Sequence, residues 1–350
     1  MPNRTALKQR PSSLLRRAVA RGACATLLAL VPLVLVACGD SDDDGTAART
    51  DTAPAADAFP VTVKHKLGST TVAKAPERVV ALGLADGDVA LALGVTPVAL
   101  PKGIPAGNGL LPWVNTALDG KKATVLNLDT STPFEKIAAL RPDLILGASH
   151  FTIEKDYAKL SKIAPTLAFK NGSYKDTYQE QTRLIGEALG RSAQAETVLS
   201  DVDKKIAEVK RTHPDFEGKT MSLAFMSDPN TINIVSAPDD PTIKLLGEIG
   251  VGLSKSVSTL PRTGQGGIQG AIGLEQVDRL EASSLVMTYA SAALQKQLEA
   301  NKVFQKVPVV KRGDYTAMDL ATVTGLRTLS VLSIPYGLDK LVAALDKTTS

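Results

Sequence analysis

FEKIAALRPDLIL, residues 134–146, reads as a short helix, a turn and a buried strand, and LEQVDRLEASSLV, residues 274–286, repeats the plan more faintly. Both place a glutamate second, Glu135 and Glu275, in the first turn of the helix. Leu140 and Leu280 keep the same spacing. The echo predicts two similar halves, each presenting one acidic residue at an equivalent place. Such a pair suits a two-point dock.

Around the first copy, strands and helices alternate. Phe59 to His65 and Thr70 to Val72 flank Gly68-Ser69 as a small hairpin. Arg78-Val79-Val80-Ala81-Leu82 is an apolar run of the kind a buried parallel strand needs, followed by a helix from about Asp88 to Leu93 that Gly94 closes. Further strands are expected at Val95–Leu100, Val125-Leu126, Leu144–Leu146 and Thr166–Phe169, with helices at Pro133–Leu140 and Ile153–Ile163. From Tyr174 to Arg211 there is no proline, and Leu184, Ile185, Val202, Ile206 and Val209 fall at mostly helical intervals. Gly190 is the one expected break. The second half resumes the alternation, with strands at Thr220–Phe225, Thr231–Val235, Leu285–Tyr289 and Tyr315–Met318 and a last helix over Ser330–Ala344 bent at Pro335. The expected fold class is α/β, with two doubly wound lobes joined by a single long backbone helix and a ligand cleft between the lobes.

The amino terminus lies outside that pattern. Arg4, Lys8, Arg10, Arg16, Arg17 and Arg21 form a basic stretch without an acid, and an apolar run follows from Ala23 to Ala37. This is the layout of a secretory signal peptide, too short and badly flanked for a spanning helix. Cys38 stands where a bacterial lipoprotein signal carries its lipid-modified cysteine. Residues 39–57 are polar and of low complexity, as a flexible tether is. The expected division is a signal peptide over 1–37, a tether over 38–57, an N-terminal lobe over 58–170, a linking helix over 171–213 and a C-terminal lobe over 214–350. The full chain has 40 basic and 36 acidic side chains; six of the basic ones lie in the signal, leaving 34 and a net charge of −2. That near-neutral balance removes the charge argument for nucleic acid. Cys24 falls inside the signal, so the exported domain has no disulfide and rests on its core alone.

The order of these elements behind a lipoprotein signal resembles the substrate-binding lipoproteins of ABC importers. More narrowly, it is similar to the class with a single helical backbone between lobes, which carries ferric siderophores, haem and cobalamin. The resemblance rests on Pro76-Glu77-Arg78-Val79-Val80-Ala81-Leu82 with Ala92-Leu93-Gly94-Val95, on Glu135-Lys136-Ile137 with Leu140-Arg141-Pro142-Asp143-Leu144-Ile145, on Leu160 with Ile163-Ala164-Pro165-Thr166, and on Leu274-Glu275-Gln276-Val277. It spans about residues 60 to 345. It implies a non-enzymatic, monomeric receptor, lipid-anchored outside the cell membrane through Cys38, that binds a ferric siderophore and delivers it to an ABC permease. No cofactor is implied beyond that Fe(III)-siderophore ligand. It also implies that Glu135 and Glu275 pair with arginines of the permease, a contact for which exposed carboxylates are suited. Thr132-Pro133-Phe134-Glu135 reads equally as a capping box. The alternatives are a haem or cobalamin carrier of the same fold, or an envelope scaffold or signalling lipoprotein. A long stiff helix between lobes predicts modest closure on binding.

Ligands of open parallel sheets bind beyond the carboxyl ends of the strands. That places Gly83–Gly87, Pro101–Trp113, Ser149–Lys155, Lys170–Tyr174, Met226–Asn230, Pro261–Gly270 and Asp319–Arg327 around the cleft. Trp113, the only tryptophan, is read as either a ligand-flanking aromatic or local packing. Arg262 and Arg327 match anionic chelating oxygens. Lys170 and Tyr289 are weaker ligand-binding candidates, and His150 is the histidine placed to reach the cleft. Three scattered histidines give no zinc or manganese spacing. Gly264-Gln265-Gly266-Gly267 lacks the last glycine of a dinucleotide fingerprint, and no nucleophile elbow, P-loop or catalytic cysteine is present.

Overall fold

Val79-Val80-Ala81 is fully buried and forms the middle strand of a five-stranded parallel sheet. The computed structural model describes residues 59–103, 107–172, 175–262 and 269–348. The expected signal peptide, tether and lipid-bearing Cys38, and the Gly264–Gly267 segment, lie outside the described residues.

The chain enters through an antiparallel hairpin, β1 (Val61–His65) and β2 (Gly68–Val72). There follow β3 (Val79–Ala81), α1 (Leu84–Ala92), β4 (Ala99–Pro101), α2 (Pro112–Leu118), β5 (Thr124–Leu126), α3 (Phe134–Ala139), β6 (Leu144–Leu146), α4 (Ile153–Leu160) and β7 (Thr166–Leu167). The sheet order is β5-β4-β3-β6-β7, all parallel, so its direction of winding reverses between β3 and β6. The two sequence motifs richest in charge meet beneath this sheet. The Asp143 carboxylate accepts the backbone N–H groups of Glu77 and Arg78 at 2.8 and 2.9 Å, and the Arg78 guanidinium donates to the carbonyls of Leu140 and Arg141. These bonds tie the starts of β3 and β6 together, at the edge opposite the strands' carboxyl ends.

The expected linking segment 171–213 holds two helices, α5 (Tyr178–Ala188) and α6 (Ser192–Thr212). Gly190, at φ 63°, takes the left-handed turn between them. The spine is α6, whose 21 residues span about 31 Å at 1.5 Å per residue.

The second lobe contains β8 (Thr220–Met226), β9 (Thr231–Val235), α7 (Pro241–Glu248), β10 (Gly252–Leu253), α8 (Lys255–Ser258) and β11 (Gln269–Gly273). A 3₁₀ segment (Leu274–Leu280) leads to β12 (Ser284–Tyr289), α9 (Ala292–Glu299), α10 (Pro308–Lys311), β13 (Tyr315–Ala317), α11 (Leu320–Thr328) and α12 (Ser333–Thr348). Its sheet, β11-β9-β8-β12-β13 with β10 also on β8, is mixed rather than wholly parallel, because β9 runs antiparallel to β8 and β11. The cause is local. Asp228 accepts the N–H groups of Asn230 and Thr231 at 2.9 and 3.0 Å, making a tight turn that can join only antiparallel neighbours. Pro335 stands near the start of α12, where a helix tolerates proline.

The largest of four apolar clusters among the described residues runs from Val79 and Val89 in the first lobe through Ile185 and Val202 to Leu223 and Leu338. A polar contact supplements it. Trp113, expected in a loop, lies at the start of α2 with Pro112 at the first helical position, and it is buried. Its ring packs on Tyr336 of α12 at 5.1 Å between centroids. Its Nε1–H donates to Asp88 Oδ2 at 2.9 Å, and the Ser330 hydroxyl donates to the same oxygen at 2.5 Å. Asp88 is fully buried in α1, so a carboxylate of the first lobe joins α2 to the segment that enters α12.

Burial pushes Asp88 up to about 7, against the hydrogen bonds from Ser330 and Trp113, and nearby Asp86 adds to the rise. The folded protein keeps this proton at a pH where an unfolded aspartate, near 3.8, has lost it. The group's contribution to stability is complete below about pH 4 and is lost as pH rises towards about 7. Asp88→Asn retains an oxygen for both donors and carries no proton to lose. Thermal melts should show the variant gaining on the wild type as pH rises across that window, by up to about 1.4 kcal/mol per pH unit. Parallel melting curves from pH 4 to 8 would refute this account.

Candidate functional site

The reversal between β3 and β6 opens a crevice at the carboxyl edge of the first sheet. Gly83, after β3, approaches Ser149, after β6, so closely that a Cβ on it would lie 2.6 Å from the Ser149 carbonyl carbon. Asp86 fastens the two loops by accepting the N–H groups of Gly83 and Ser149 at 2.8 and 3.0 Å. Burial raises the Asp86 pKa, although these N–H bonds oppose the rise. A cavity of about 690 Å³ begins at this junction, within the range of small-molecule sites. Leu84, Ala85 and Ala148 to Phe151 line it from the first lobe, and Gln181 of α5 from the spine. The second lobe contributes a sheet wall rather than strand-end loops: Leu223 to Phe225 of β8, Asn233 to Val235 of β9, Gln269 of β11 and Thr288 of β12. Leu320, Val323, Thr324 and Arg327 line it from α11.

Two of the six ligand-binding residues expected from sequence lie in this cleft, His150 and Arg327. His150 is buried, with Nε2 at 3.1 Å from Thr132 Oγ1, 3.0 Å from Thr152 Oγ1 and 3.3 Å from Asp156 Oδ2. Burial works against the Asp156 carboxylate, but the bonds from Thr132, Thr152 and His150 outweigh it and hold its pKa below the usual range. With Nε2 so occupied, His150 braces the cleft loop rather than offering that nitrogen to haem iron. Arg327 belongs to a helix, not a loop, because Asp319 caps α11 by accepting the Thr322 N–H at 2.9 Å. Its Nη1 donates to both oxygens of Asp240 at 2.7 and 2.8 Å and to Thr242 Oγ1 at 2.9 Å. Asp240 is fully buried and also caps α7.

The other four stand elsewhere. Trp113 faces α12. Lys170 is exposed, with Nζ 4.0 Å from Glu180, where the chain turns into α5. Arg262 is exposed and pairs with Asp239 at 3.5 Å. Tyr289 ends β12 one residue beyond cleft-lining Thr288, so the alternation of a strand turns it from the cavity. Its hydroxyl meets that of Tyr315 at 2.7 Å, and burial pushes its pKa up to about 12. Among the described residues no group of three or more His, Cys, Asp or Glu is placed to hold a metal ion. Gln269 falls within the expected cleft stretch Pro261–Gly270, whereas Gln181, Asn233 and Thr288 carry no sequence signature.

The two glutamates occupy matching surroundings. From Pro133 and from Gly273 the order of exposure is the same for six residues, with Glu135 and Glu275 exposed and Ile137 and Val277 buried two places on. The capping box expected at Glu135 does not form: Pro133 takes the cap position without a side-chain bond, and the Thr132 hydroxyl turns inward to Asp156 at 2.5 Å. In the second lobe Gln276, not Glu275, reaches back to the Gly273 N–H, at 3.4 Å. Neither glutamate carboxylate has a hydrogen bond or ion pair among the described residues. Glu135 follows β5, which is parallel to β3 through β4; Glu275 follows β11, which runs in the direction of β8. Each marks the carboxyl edge of its sheet.

A crevice at a strand-order reversal, facing a second lobe across a helical spine, defines a solute-binding protein. Residues 79–319 match the periplasmic binding protein family, and the chain belongs to it. It is a substrate-binding protein of the ABC-transporter kind, without enzymatic activity. A putative ABC transporter substrate-binding lipoprotein of Bacillus subtilis, YhfQ, is 30% identical over 75% of this chain and 81% of its own length. The Fe(3+) dicitrate-binding periplasmic protein FecB of Escherichia coli is 26% identical over 77% of this chain and 86% of its own. The crystal structure of a periplasmic solute binding protein from Mycobacterium smegmatis superposes with a TM-score of 0.72 at 29% identity, covering 83% of this chain and 99% of that one. Among the described residues no helix is long and apolar enough to cross a membrane.

The Arg327–Asp240 pair is expected to be a structural fixture. Arg327→Leu strands a buried carboxylate and should cost about 3 kcal/mol in urea unfolding. Adding Asp240→Asn, which still caps α7, should recover most of that loss. A single variant as stable as wild type would contradict this.

Proposed function

We propose that this protein is an extracytoplasmic receptor that binds a ferric siderophore and delivers it to an ABC permease, tethered to the membrane by lipid on Cys38. The observation that carries the reading is the pairing of the cleft with two exposed, unpartnered glutamates at the carboxyl edges of the two sheets. A permease that contacts both senses the lobes together, so it distinguishes a loaded receptor from an empty one. Freed of a capping duty, Glu135 keeps its carboxylate for a guanidinium, the group that matches it with two parallel hydrogen bonds. Similarity to proteins that carry iron chelates, among them a probable siderophore-binding lipoprotein of Bacillus subtilis, supports iron chelates as the cargo. One continuous core through α6 supports small closure on binding, by resisting a wide hinge.

The test is uptake of radiolabelled ferric chelate by cells whose only receptor is this chain. Glu135→Lys with Glu275→Lys should lower uptake at least tenfold while the purified double variant keeps its Kd for the chelate within twofold. Undiminished uptake by the double variant would overturn the docking assignment.

A further inference from the structure

The cleft is nearly free of usable charge. Its described lining includes no Lys, Asp or Glu. Its single guanidinium, Arg327, is already matched by the fully buried Asp240 at 2.7 and 2.8 Å. His150 is committed to Asp156 and two threonines. What remains is apolar surface, such as Leu84, Phe151 and Phe225, and neutral amides and hydroxyls.

We infer that the cleft selects an electrically neutral ferric chelate of the tris-hydroxamate class over multiply anionic chelates. The inference rests on the carrier reading above and specifies its cargo. Fe(III) balanced by three singly charged hydroxamates has no net charge. Three doubly charged catecholates leave a trianion, and citrate complexes are anionic too. Moving such an anion out of water into this cleft incurs a desolvation cost that no unpaired cation in the described lining offsets. For a neutral chelate that electrostatic cost falls away, and apolar contact with amide hydrogen bonds suffices. Asp240 acts as a specificity-positioning residue, because it neutralises the one cation that faces the ligand.

The experiment is calorimetric titration of the full mature protein with ferrichrome as the neutral tris-hydroxamate, a ferric tris-catecholate and ferric dicitrate, each at low and high salt. Ferrichrome should bind at least a hundredfold more tightly than either anion, with a Kd that changes less than twofold with salt. Asp240→Asn, which keeps the α7 cap and releases the Arg327 charge, should tighten tris-catecholate binding at least tenfold and make it salt-sensitive. Tightest binding of the catecholate or the citrate complex by the wild type would overturn the inference and leave the carrier reading standing. An unchanged catecholate Kd in the Asp240→Asn variant would overturn the role of Asp240. Binding of none of the three would overturn the carrier reading itself.

Discussion

Asp88 is a carboxylate with no access to water, and the parts of the chain that must stay together meet on one of its oxygens. Trp113 reaches it from α2 and Ser330 from the entry to α12. Around this point the apolar core is continuous, so α6 and α12 are packed into both lobes rather than strung between them. The polar contact fixes where α12 docks, while the core makes moving it costly. A binding protein built this way holds its cleft open by rigidity. Recognition then depends on the shape and chemistry of a pre-formed wall, with little ordering left to be done when the ligand arrives.

The wall follows from the same economy of parts. The reversal of strand order makes a gap, and Gly83 keeps it tight by letting two loops touch where any side chain would collide with Ser149. Across from it, the Asp228 turn folds β9 back beside β8 and so presents a flat sheet face to the cavity. Loops from one lobe and a sheet face from the other give a site with one contoured side and one planar side. The cations nearby are spoken for: Arg327 by Asp240, Arg262 by Asp239, Lys170 by Glu180.

Much of the fold was legible in the sequence because fully buried parallel strands are written as short continuous apolar runs, as in Val79–Ala81 and Leu144–Leu146. The spine was legible from spacing, and Gly190 from the backbone freedom that a helix break requires. Several elements were not, among them α2, β11 and α11. α2 begins after a stretch rich in glycine and proline, and its helix is started by Pro112. β11, Gln-Gly-Ala-Ile-Gly, has two glycines and gains its regularity from pairing with β9. α11 carries threonines and a glycine that favour other structures, and it is held by its Asp319 cap and by α12. The site was less readable than the fold. Charged and aromatic residues stand out in a sequence, and here most of them serve packing or ion pairs. The cleft is walled by leucines, amides and threonines, which look alike wherever they occur.

The position of Trp113 also gives the molecule an optical property. It is the only indole in the chain, and it sits beneath α12 rather than beside the cargo. Its emission therefore belongs to the seam between the lobes, with an ionisable carboxyl group against the ring nitrogen. A strongly absorbing iron complex in the cleft would reach it through space, as an energy acceptor at a distance, instead of by touching it. The quenching such a complex produces becomes a ruler from cargo to seam, and the tint of the unquenched emission a gauge of the seam's own proton.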